Sequence, residues 1–112
     1  MFRRPSLPSI APRDLPANAY VLDVREPDEW DAGHAPDAHH IPMSELLGRL
    51  GEVPEDGSVV VVCRSGHRSA QVVSYLLGQG RGNAVNLDGG MVEWVASGLP
   101  IVTDDGRDPY IA

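Results

Sequence analysis

The chain has 112 residues, 16 of them acidic and 9 basic, for a formal net charge of −7. That length supports one hydrophobic core without help from metals or disulfides. An acidic balance with no basic run excludes a protein that tracks nucleic-acid phosphates. All nine basic residues are arginine, so lysine chemistry such as Schiff-base formation is excluded as well.

A single cysteine cannot make an internal disulfide and points to a reducing compartment. No stretch of about 18 apolar residues is available to span a membrane. Met1-Phe2-Arg3-Arg4-Pro5 has basic residues without the apolar segment of a secretory signal behind them. The expected setting is the cytoplasm, with neither membrane nor nucleic acid as a partner.

In chain order, residues 1–8 are proline-rich and are expected to be flexible. Ser9-Ile10 suits a short edge strand, and Pro12 to Leu15 a single helical turn. Tyr20-Val21-Leu22-Asp23-Val24 is a continuous apolar run, as expected for a strand covered on both faces, with Asp23 near its carboxyl end. Pro27 to Asp31 predicts a short helix: proline fits the first turn, and Asp28 and Glu29 suit the positive end of the dipole. Gly33 ends it, and His34 to Pro42 is an irregular crossing with Ile41 as the anchor of a short strand. Ser44 to Leu50 predicts a helix presenting Leu46, Leu47 and Leu50, followed by a turn-rich loop from Gly51 to Gly57.

Val59-Val60-Val61-Val62 is a β-branched run that predicts a buried strand. Ser69 to Gln79 carries Val72, Val73, Leu76 and Leu77 at helical spacing. Beyond a glycine-rich connection, Ala84-Val85-Asn86-Leu87 is the last predicted strand. Asp88-Gly89-Gly90 turns into a helix from Met91 to Ser97 with Met91, Trp94 and Val95 on one face. Gly98 and Pro100 stop that helix. The segment 102–112 is polar and expected to be surface-bound or flexible, so the predicted domain runs over residues 9–101. Alternating strands and helices predict an α/β domain with a mainly parallel sheet and helices on both faces. In such sheets ligands bind beyond the carboxyl ends of strands, where Asp23 and Cys63 both fall.

Cys63 therefore sits where a central strand stops and a helix begins, in Cys63-Arg64-Ser65-Gly66-His67-Arg68-Ser69. Unpaired backbone N–H groups, the helix dipole and two arginines all favour a thiolate there. Because the chain as a whole repels anions, any anion site must be local to this loop.

Four motifs, in order, resemble the single-domain rhodanese (thiosulfate sulfurtransferase-like) family. They are Leu22-Asp23-Val24-Arg25 with Glu29-Trp30; Gly33-His34 leading to Ile41-Pro42; Cys63 to Ser69; and Leu87-Asp88-Gly89-Gly90 with Trp94 and Gly98-Leu99-Pro100. The family usually has a bulky aliphatic residue after Gly-His and a glycine two residues further on. This chain has Ala35 and Asp37 there, with Pro36 between them, so the path of that loop is where it is expected to differ.

The resemblance implies a three-layer α/β/α domain with a five-stranded mainly parallel sheet in the order 1-5-4-2-3. It also implies a sulfurtransferase that accepts a sulfane sulfur on Cys63, from thiosulfate or another persulfide donor, and passes it to cyanide or a thiol, with no cofactor or metal required. An alternative is a persulfide carrier that serves a dedicated sulfur-relay protein partner. A cysteine-dependent phosphatase or arsenate reductase is a weaker alternative: the phosphatase motif places five residues between cysteine and arginine, whereas four separate Cys63 from Arg68.

The expected nucleophile is thus Cys63, inside a substrate-binding loop of Arg64, Ser65, Gly66, His67, Arg68 and Ser69. Arg64 is read as facing an incoming anion, and Gly66 as holding a backbone shape closed to other residues. His67 is read as an exposed specificity residue without an essential role. Arg68 is read as a brace gripped by Asp23 or Glu29, and Ser69 as a helix cap or a hydroxyl donor. Asp23, Arg25 and Glu29 are assigned to structural support of the loop. His34, His39 and His40 are read as structural or surface residues rather than metal ligands, and Trp30 and Trp94 as core or pocket wall.

Overall fold

A computed structural model describes residues 7–112. The expectation of a flexible start therefore lies, for residues 1–6, outside the described residues. Five parallel strands form one sheet: β1 (Ser9–Ile10), β2 (Tyr20–Asp23), β3 (His39–His40), β4 (Val59–Val62) and β5 (Ala84–Leu87). Their order is β1-β5-β4-β2-β3, which is the predicted 1-5-4-2-3.

The valine run of β4 has no polar face because both faces are covered. Val59 and Val61 pack with Leu22 and with Val72, Val73 and Leu76 of helix α2 (His67–Gly78). Val60 and Val62 face the opposite way, against Leu87 and against Met91 and Trp94 of helix α3 (Gly90–Ala96). All four valines are at most 1% exposed. A period of two thus splits one apolar run between two cores.

Helix α1 (Pro27–Ala32) begins with a reciprocal capping box. The Glu26 side chain accepts from the helix backbone, and the Glu26 N–H donates to Glu29 Oε1 at 3.0 Å. The predicted α-helix from Ser44 to Leu50 is instead a 3-10 segment, Met43–Glu52, interrupted by Arg49 at φ −127°. Gly48 and Gly51 weaken an α-helix there. Three residues per turn align Met43 with Leu46 and turn Leu47 outward, so Leu46 is 4% exposed and Leu47 70%.

The loop after His34 departs from the family pattern in sequence, yet its backbone shows why a glycine is usual at that position. Asp37 adopts φ +62°, the left-handed region that aspartate tolerates better than most side chains. Ala35 is fully buried in the α3-side core, where its small side chain fits.

At the carboxyl end of β2, Asp23 and Arg25 form a fully buried ion pair. Arg25 Nη2 donates to Asp23 Oδ2 at 2.8 Å and Nε to Oδ1 at 3.0 Å, while Nη2 also reaches the Gly33 carbonyl at 2.7 Å. The pair ties the end of β2 to the end of α1. Removing one member leaves an uncompensated charge in the core, which costs about 3–5 kcal/mol. Arg25→Met is expected to lose about that much stability in urea denaturation, and the double variant Asp23→Leu/Arg25→Met to regain part of it. A single variant within about 1 kcal/mol of the parent would remove this pair from the account of the fold.

Candidate active site

Three elements meet around the sulfur. β4 delivers Cys63, α2 begins at His67 with Gly66 as its N-cap residue, and α3 begins at Gly90. Gly66 has φ +109°, as its predicted backbone role requires. Met91 N–H donates to the Cys63 carbonyl at 2.8 Å and Val92 N–H to the Arg64 carbonyl at 3.0 Å. The first turn of α3 thereby draws two loop carbonyls away from the sulfur and satisfies its own free donors.

With those carbonyls turned aside, the loop N–H groups converge on Sγ. Gly66 N–H donates to Sγ at 3.1 Å, the Ser69 hydroxyl lies 3.3 Å from it, and the N–H groups of Ser65 and Ser69 contribute as well. Burial, at 1% exposure, pushes the Cys63 thiol pKa up. The Ser69 hydroxyl and the N–H groups of Ser69, Gly66 and Ser65 outweigh it, and the net position is below the ordinary thiol value.

Ser69 was expected to serve as a cap or a hydroxyl donor. It lies inside the first turn of α2, fully buried, and makes no cap; its hydroxyl is spent on the sulfur. Arg68 is held by Glu29 and not by Asp23, which is committed to Arg25. Its Nη1 and Nη2 bond Glu29 Oε1 and Oε2 at 2.6 and 2.9 Å, a two-point clasp between α2 and α1. The hydrogen bonds from the Arg68 guanidinium hold the Glu29 carboxyl below the usual carboxylate range; burial opposes them, and the Glu26 N–H and the charge of Arg68 add to the lowering. Arg64 and His67 are exposed, and Arg64 Nε donates to the backbone oxygen of Ala112 at 3.0 Å.

Trp30 is a half-buried wall, its ring stacked between His34 at 3.6 Å and His40 at 4.7 Å, and Trp94 is a core residue, 7% exposed.

Two contributors were missed in sequence. Asn86 Nδ2 donates to the Gly66 carbonyl at 3.3 Å and so ties the loop to β5. In the sequence Gly90 reads only as part of a turn. A Cβ there would sit 2.5 Å from the Cys63 oxygen and 2.7 Å from the Arg64 carbonyl, so no other residue lets α3 approach the loop. The doubled glycine was the available signal; an inward asparagine on a strand carries none.

An α/β domain with a hydrogen-bonded cysteine at a strand-to-helix turn is a scaffold for nucleophilic sulfur chemistry. The family described as Rhodanese-like domain matches residues 11–97, and the chain belongs to it. A sulfurtransferase of Allochromatium vinosum is 45% identical over 86 residues, covering 77% of this chain and 80% of that one. A crystal structure of a rhodanese-related protein of Thermoplasma volcanium is 34% identical, with a TM-score of 0.76 over 87% of this chain and 99% of that one. A thiosulfate sulfurtransferase of Pseudomonas aeruginosa is 27% identical with a TM-score of 0.75, over 95% of this chain but 22% of that one. Family and relatives support sulfurtransferase activity in general terms.

Two measurements test the site. The rate of Cys63 alkylation by iodoacetamide follows the thiolate, so it is expected to rise with pH to a plateau whose midpoint lies below that of an ordinary thiol. Ser69→Ala is expected to move that midpoint upward; an unmoved midpoint would deny the hydroxyl its role. Arg68→Lys keeps the charge but not the two-point clasp. Because Arg68 is a third open to solvent and screened, the expected loss is modest, about 1–2 kcal/mol at neutral pH. Glu29 has a depressed folded-state pKa, so its contribution is present above the ordinary carboxylate pKa and is lost as pH falls through the depressed value. The stability gap between parent and variant should therefore close in acid.

Proposed function

We propose that the protein is a rhodanese-type sulfurtransferase that carries a sulfane sulfur on Cys63, with thiosulfate or another persulfide donor as its source and cyanide or a thiol as its acceptor. The observation that carries this reading is a single buried sulfur that accepts the Gly66 N–H at 3.1 Å beside the Ser69 hydroxyl at 3.3 Å, while the Met91 and Val92 N–H groups hold the Cys63 and Arg64 carbonyls.

In the first step the Cys63 thiolate attacks the outer sulfur of thiosulfate. The Cys63–sulfur bond forms, the sulfur–sulfur bond of thiosulfate breaks, and sulfite leaves with the electron pair. The enzyme then holds a persulfide anion, whose charge the same N–H groups stabilise. In the second step cyanide or a thiolate attacks the terminal sulfur and Cys63 departs as the thiolate. Charge balances at each step and no proton moves, which agrees with an exposed His67 that hydrogen-bonds nothing in the loop among the described residues. Arg64 is assigned to recruit the donor anion, locally and against the acidic surface.

A phosphatase needs its loop arginine free to clasp the oxyanion. Here both terminal nitrogens of Arg68 are committed to Glu29, and the loop is one residue shorter than the phosphatase motif. Both features weigh against phosphoryl chemistry. The lone thiol fits a reducing compartment, and we assign the protein to the cytoplasm; no helix among the described residues is long and apolar enough to cross a membrane.

Incubation with thiosulfate is expected to add one sulfur atom to the intact mass, and cyanide to remove it as thiocyanate. Cys63→Ser is expected to do neither, with transfer falling to background. Equal activity in that variant, or no sulfur gained by the parent, would sink the reading. A protein that loads sulfur but discharges it to cyanide only slowly would be a carrier for a protein acceptor.

A further inference from the structure

Gly66 donates its N–H to Sγ at 3.1 Å, yet it has no side chain to hold it in that pose. Its φ of +109° lies where glycine has most freedom, so its direction is set by what its two backbone groups bond. The carbonyl has two donors, the Ala70 N–H at 3.2 Å and Asn86 Nδ2 at 3.3 Å. The first belongs to α2 and moves with it. The second comes from β5, which pairs with β4, the strand that delivers Cys63.

Asn86 is a poor choice for packing. A period of two puts it on the same face of β5 as Ala84, toward α2. Its register partner is Val61, and the layer around it is built from Val59, Val61 and Leu22. The orientation of its amide follows from its partner, because a carbonyl accepts and only Nδ2 can donate to it. That leaves Oδ1 buried without a hydrogen-bond partner among the described residues. An unpaired buried acceptor destabilises a fold, and leucine, of nearly the same size, would avoid it. The asparagine is thus costly where it stands, and its side chain's one hydrogen bond among the described residues goes to Gly66. No other strand side chain described here hydrogen-bonds the start of α2.

We propose that Asn86 is a positioning residue for the nucleophile: it fixes the start of α2 to the sheet, so that the Gly66 N–H stays on Sγ and supports the Cys63 thiolate. The sulfur stands on the sheet, whereas the Gly66 N–H and the Ser69 hydroxyl stand on the start of the helix. Without the Nδ2 bond the helix start is free to shift against β4, and the sulfur loses part of the stabilisation that offsets its burial. Fewer molecules then hold a thiolate at neutral pH. The consequence for sulfur loading rests on the proposed function; the consequence for the thiolate does not.

The test is Asn86→Leu in the full chain, with Asn86→Ala as a second variant should leucine prevent folding. Because the unpaired Oδ1 is gone, the urea midpoint of Asn86→Leu is expected at or above that of the parent. Hydrogen exchange of the Gly66 N–H is expected to quicken. Alkylation of Cys63 by iodoacetamide is expected to slow several-fold at neutral pH, with its midpoint moved to higher pH. The plateau rate at high pH should equal or exceed the parent's, since a more basic thiolate is the better nucleophile. Loading from thiosulfate should fall in step at neutral pH and recover at high pH. An unmoved alkylation midpoint in a folded variant would overturn the proposal, whatever happens to stability. So would a lowered plateau with the midpoint in place, the mark of a site merely disordered. A moved midpoint in a chain that gains no sulfur from thiosulfate, parent included, would uphold the role of Asn86 and count against the sulfurtransferase reading.

Discussion

The closest constraint in the molecule is the approach of α3 to the carbonyls of Cys63 and Arg64. The N–H groups of Met91 and Val92 take those two oxygens, and only a residue without Cβ at position 90 lets them come near enough. Were the carbonyls free to rotate inward, they would oppose a sulfur anion with their negative ends. Held outward, they do not oppose the Gly66 N–H and the Ser69 hydroxyl that meet Sγ. The polarity around the nucleophile is therefore set by a helix that contributes no side chain to it.

Around this contact two ion pairs hold the rest in place, and they differ in kind. Asp23–Arg25 is sealed in the core, where its value lies in not leaving either charge alone. Glu29–Arg68 is half open and joins the first turn of α2 to the capping box of α1, so one carboxylate ends a helix and anchors the loop. Arg68 gives up the freedom to bind a substrate. Arg64, outside both pairs, is the loop cation still directed to the surface.

What could be read from the sequence followed from periodicity and from groups that act locally. The four valines of β4, the stripe on α2 and the glycine of the cysteine loop each declare their environment within a few residues. The segment 43–52 did not, because Leu46, Leu47 and Leu50 fit an α-helix until Gly48, Gly51 and the break at Arg49 are allowed to decide. Partners far apart in sequence were less legible. Glu29 and Asp23 are equal candidates for Arg68 in the sequence, and only the folded chain, where Arg25 occupies Asp23, separates them. Asn86 gave no sign, since its role depends on β5 lying beside β4 in space. Ser69 stood near enough to a helix start to suggest a cap, but the helix begins two residues earlier and leaves its hydroxyl for the sulfur.

Burial and reactivity pull against each other at Cys63, and the structure shows how they are reconciled. Desolvation alone would keep the thiol protonated and inert, the usual fate of a buried cysteine. The N–H groups and one hydroxyl replace water as the solvent of the anion, fixed in advance and without reorganisation. The same enclosure makes access the variable that remains, since a sulfur stabilised by surrounding protein is also shielded by it.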